Sequence, residues 1–164
     1  MFREDFVRRM VEQGTTVVLA ILGLIRVERY PEALIEVDGA LQRYVGLNLS
    51  LVTALPASEL AAMLRWGERL DLGKVVVLAE LLQAEGDIYA AQHQTGDAQA
   101  RYLKSLELLL EVAFDGDQHL AAVQSRIVEL KSRLDLAAVP ADLAEWLAHY
   151  ESVVAELPAA PTAE

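Results

Sequence analysis

Three histidines, a short aspartate run and one glycine–lysine segment are the residues whose types suit metal, phosphate or acid–base chemistry. His93, His119 and His149 each stand alone, with no second histidine three or four residues away. A helical zinc site needs such a pair on one face. Glu145 and His149 are one turn apart, but a carboxylate-bridged di-iron centre wants Glu-x-x-His twice and two further inward glutamates. Asp115, Asp117 and His119 open like a calcium loop. Its sixth and twelfth positions then hold Leu120 and Arg126, where a glycine and a bidentate glutamate belong. Gly67 to Lys74 has one residue too many between its glycines for a phosphate loop, and Val75 stands where the magnesium-binding hydroxyl must be. No serine lies in a Gly-x-Ser-x-Gly elbow. The absence of cysteine removes thiol nucleophiles, thiolate zinc sites and disulfides together. No catalytic residue, metal or cofactor is expected, and the chain reads as a non-enzyme.

The scaffold that would carry any site is one domain. Its 164 residues are 54% hydrophobic and 24% charged, enough for a single packed core. The net charge of −11, from 25 acids against 14 bases, repels phosphates, so nucleic acid and anionic membranes are not expected partners. The apolar run Val17 to Ile25 is too short to span a bilayer. It also lacks the flanks and cleavage site of a signal peptide, so it reads as a buried helix. A cytoplasmic protein is expected.

Helical periodicity dominates. Leu120, Val123, Ile127, Leu130 and Leu134 form one stripe at 3-4-3-4 spacing, and Leu143, Trp146, Tyr150, Val153 and Leu157 repeat it after Pro140. Helix one is predicted over about Phe2 to Arg26. A second opens at Pro31 and stops at Gly46, with Asn48 to Ala57 as a connection. A short helix capped by Ser58 runs to Trp66-Gly67, and a long one capped by Asp71 runs to about Gln94. Gly96-Asp97 reads as the next turn, followed by a helix through Ala113. Residues 158–164 read as a disordered tail after a domain at 1–157. The prediction is about seven helices and no sheet.

Two stretches share a spacing that bears on the architecture. Glu28-Arg29-Tyr30-Pro31-Glu32-Ala33, continued by Val37, Ala40 and Leu41, resembles the turn and second helix of a tetratricopeptide (TPR) repeat. Gly86, Tyr89, Ala98, Tyr102 and Ser105-Leu106 are similar to the small, aromatic, alanine, aromatic and small positions of the same motif. Ala33 and Ala98 lie close to twice the TPR period apart, with a degenerate unit between. Ile21, Leu24 and Glu85 depart from the pattern. The opening Met1 to Phe6, with Arg-Tyr-x-Glu-Ala, also resembles a small bacterial TPR-like family without assigned function. The resemblance implies an all-α superhelix of helix hairpins. Repeat packing would then fall on Ala33, Val37, Ala40, Gly86, Tyr89, Ala98, Tyr102 and Ser105.

Two functions compete, with an uncharacterised enzyme as the third alternative. One is an interaction or assembly module whose groove takes a protein or peptide, basic or apolar given the acidic surface. The other is a homodimer built through helix one. There Phe2, Phe6, Met10, Val17, Ile21 and Leu24 make a self-association face beside a second stripe of Val7, Val11, Val18, Leu22 and Ile25.

Overall fold

Residues 72–91 are apolar nearly all round, and a helix of that kind is stable only when other helices enclose it. The computed structural model describes residues 2–116 and 119–158, with side chains from Asp5 onward. Among them are eight α-helices: α1 (Phe2–Arg26), α2 (Tyr30–Ala40), α3 (Leu49–Ala54), α4 (Ala57–Met63), α5 (Leu72–Ala91), α6 (Thr95–Phe114), α7 (Leu120–Arg133) and α8 (Ala141–Ala155). The long α5 lies at the centre, its Val75, Leu78, Leu81, Leu82 and Ile88 buried among α1, α2 and α6.

Side-chain pairs give the directions. Ser105 donates to the Ala79 carbonyl at 2.7 Å, and a β-carbon at Gly86 would meet the Tyr102 ring, so α5 and α6 run antiparallel. Met10 lies against Gly73, and Gly14 against Val77 and Glu80, so α1 runs parallel to α5. Arg126 and Arg133 reach Glu80 and Asp87, which makes α7 parallel as well. Both pairs repeat every seven residues, two helical turns, and so meet along a single seam. At the C-terminal end of α6 Phe114 stacks on Trp146 and His149 of α8.

The all-helical expectation holds, with local corrections. Residues 48–57 are not a bare connection: Asn48 accepts from the Leu51 N–H at 2.8 Å and caps α3. The next helix starts at Ala57 after Pro56 and ends at Met63, short of Trp66. There the chain forms a small antiparallel ribbon, β1 (Arg65–Trp66) and β2 (Arg69–Leu70). Its two-residue loop has Gly67 at φ 63°, the positive-φ first position of a type II′ turn. The turn before α6 is at His93 (φ 61°), while Gly96 lies in the first turn of the helix. Histidine is among the side chains that tolerate this region. Helix two does stop at Gly46 (φ 81°), after a wide π turn over Leu41–Val45. Of the expected tail, residues 159–164 lie outside the described residues, as does Asp117. No helix among the described residues is long and apolar enough to cross a membrane.

Candidate interaction surface

The ribbon decides what the molecule presents at one end. Side chains alternate across a strand, so the pair Arg65–Leu70 faces one way and Trp66–Arg69 the other. Leu70 is buried in the core, and Arg65 is drawn to Asp115 at 3.1 Å and Glu111 at 3.8 Å. Trp66 is thereby turned outward and is 79% exposed. Beside it the first turns of α1 leave Phe6 64% exposed. Between them lies a mainly apolar hollow of about 340 Å³, lined by Phe6, Val7, Trp66, Leu70 and Leu72 with Arg69 and Asp71. Large aromatics held out of the core beside an apolar depression are the usual anchors of protein–protein contacts. A second depression, wide open between α2 and α3, is lined by Leu34, Ile35, Asp38 and Leu49 and presents no aromatic ring.

The interior holds two polar braces. Glu85, only 1% exposed, accepts from Arg101 Nε at 3.0 Å. The Arg101 guanidinium also lies over the Tyr89 ring. Next to it Lys104 donates to the carbonyls of Val52 and Thr53, capping the C-terminal end of α3. Burial pushes the Glu85 carboxyl above its ordinary range, opposed by Arg101, and holds the Lys104 amine below its own. The second brace is the seam to α7. Tyr102 donates to Asp87 at 2.6 Å, and Asp87 also accepts from Arg133 at 2.9 Å. Burial raises the Tyr102 phenol, and the Asp87 charge adds to it. Glu80 accepts from Arg126, and burial raises it too. Each base in these braces is matched to an acid or a carbonyl, which suits them to holding helices together.

The residues expected at repeat-packing positions all lie inward. Ala33, Val37, Ala40, Gly86, Ala98, Tyr102 and Ser105 are buried and Tyr89 is half-buried. The proposed self-association stripe is divided. Met10 and Ile21 are buried within their own chain because α5 packs along α1, so they offer nothing to a second copy. Val17 and Leu24 are half-buried against the same core, as are Val11, Val18 and Ile25 of the second stripe. Only Phe6 stands clear, and the side chain of Phe2 lies outside the described residues. The histidines remain apart: His93 in a turn, His119 before α7, and His149 stacked on Phe114. Among the described residues no three His, Asp or Glu side chains gather as a metal would require. Sequence reasoning missed Trp66 and Arg69. The Gly67-Glu68 turn between them was the available signal. No protein-family model, no curated protein and no solved structure matches this chain.

Proposed function

We propose that this chain is a protein-interaction or assembly module of TPR-like helix hairpins, without chemistry of its own, that docks a protein through the hollow between α1 and the 65–70 ribbon. One observation carries the reading: Trp66 and Phe6 are held out of the core on either side of an apolar depression. Exposing an indole this fully forgoes about 1.5–3 kcal/mol, the scale of burying a large apolar side chain, and a partner would recover it. The parallel α1, α5 and α7, with α6 antiparallel between neighbours, support the hairpin-stack part of the reading. The small and aromatic residues at the α5–α6 crossing support it too.

Photocrosslinking tests it. A benzophenone amino acid in place of Trp66, introduced in cells that naturally make the chain, should yield a protein adduct. The same group in place of the exposed Val128 on α7 should not. Equal adducts at both positions, or none at 66, would end the proposal.

A further inference from the structure

The end of the molecule that carries the hollow differs in charge from the rest. Residues 5–12 and 65–74, together with Glu111 and Asp115 that pair with Arg65, hold five basic and six acidic residues. The other described side chains hold eight basic and sixteen acidic ones. Two copies of a chain at −11 repel through most of their surfaces, and this end is where they can meet without that cost. A two-fold contact lays one patch on itself, so the patch must be complementary to itself. This one carries a protruding indole directly beside an apolar hollow, with both signs of charge in the same two segments.

From this we infer that the occupant of the hollow is a second copy of the chain, each Trp66 lying across the other copy's Phe6, Val7 and Leu72. The inference rests on the docking reading above and names its partner. It differs from a dimer built along helix one, because Met10 and Ile21 stay in the core and only the first turns of α1 take part. The contact is dominated by apolar and aromatic burial, so moderate salt should strengthen it slightly by screening the repulsion between two acidic bodies.

Light scattering decides the mass. At tens of micromolar, above the dissociation constants of ordinary dimers, the expected mass is twice the 18.0 kDa of one chain. The chain has two tryptophans, so Trp146→Phe leaves Trp66 as the sole indole reporter. Its emission should move to shorter wavelength on concentration, with the same midpoint as the mass. Trp66→Ala should halve the mass at equal concentration with the helical circular dichroism unchanged, since the residue supports nothing in the core. A monomer at several times that concentration would overturn the inference, and so would a dimer that Trp66→Ala leaves intact. A blue shift that appears only with phosphatidylglycerol vesicles, on a protein of monomer mass, would assign the hollow to lipid instead. A monomer that still crosslinks to another protein from position 66 would retire the second copy and leave the docking reading standing. An intact dimer with no adduct at 66 would remove both.

Discussion

Gly86→Ala is ordinarily a stabilising change in the middle of a helix, by about 1 kcal/mol from backbone propensity. Here the sign should invert. A β-carbon at position 86 would lie 2.5 Å from Tyr102 Cε1, 2.8 Å from Cδ1 and 3.0 Å from Cζ. The ring cannot simply swing away, because its hydroxyl is bonded to Asp87 and Asp87 is held by Arg133 on α7. Restoring contact distance moves a rigid ring by most of an ångström. Overpacking of this kind costs about 1–3 kcal/mol. A weakened hydrogen bond to the Asp87 carboxylate adds to that, on the scale of about 1.5–3 kcal/mol for a full loss. Set against the propensity gain, the net loss should be about 2 kcal/mol, or roughly 4–8 °C in melting midpoint for a chain of this size. Urea titration followed by circular dichroism measures it directly. The diagnostic control is Tyr102→Leu, which removes the far side of the ring. In that background Gly86→Ala should stabilise, by about 0.5–1 kcal/mol. A raised midpoint in the wild-type background would mean that α5 and α6 do not cross at these residues.

Ala98→Leu should also destabilise, by about 1–3 kcal/mol, because Ala98 is buried in the α5–α6 hairpin; an unchanged thermal midpoint would place it on the surface. Glu80, Glu85 and Glu107 are all raised above the ordinary 4.5, first by burial. A raised carboxyl contributes stability that is complete below its unfolded pKa and is lost as pH rises through the folded one, so melting temperature should climb from pH 7 toward about pH 5. Glu85→Gln should flatten part of that climb, and a midpoint that falls steadily over the interval would contradict the burial of these groups. Gly67→Ala places a side chain at φ 63° and should cost about 1 kcal/mol, with the Trp66 emission changed and the overall helicity kept.

Long elements with internal period were legible from residue types alone. Helix one was readable to its last residue because Glu28 to Pro31 interrupts it, and α5 because apolar residues on every side demand enclosure. Short elements were not. Six residues of α3 span less than two turns, too few to show a period, and the Asn48 cap looked like a loop residue. The turn before α6 was sought at glycine, whereas His93 takes the left-handed conformation and Gly96 enters the helix. Phe6 was noticed as apolar, but its partner Trp66 lies sixty positions away on an element with two-residue strands. Nothing in the spacing of either segment reports that meeting. The division of the helix-one stripe was hidden for the same reason, since periodicity marks a face as apolar without saying which neighbour covers it.

The position of α5 also sets an order in time. Its packing on α6 joins segments adjacent in sequence, across a turn of three residues, Gln92 to Gln94. Its packing on α1 closes a loop of more than sixty residues, as from Met10 to Gly73, and long closures are entropically dearer and slower. The hairpin of α5 and α6 is therefore the expected early nucleus, and α1 the late arrival that completes the enclosure. The same asymmetry persists after folding. Amides of α1 should exchange with solvent through a partial opening that leaves those of α5 protected. The Phe6–Trp66 hollow has one wall on each side of that late contact, so it exists only while α1 is docked. A partner bound there holds the first helix in place, and docking and the last step of folding become one equilibrium.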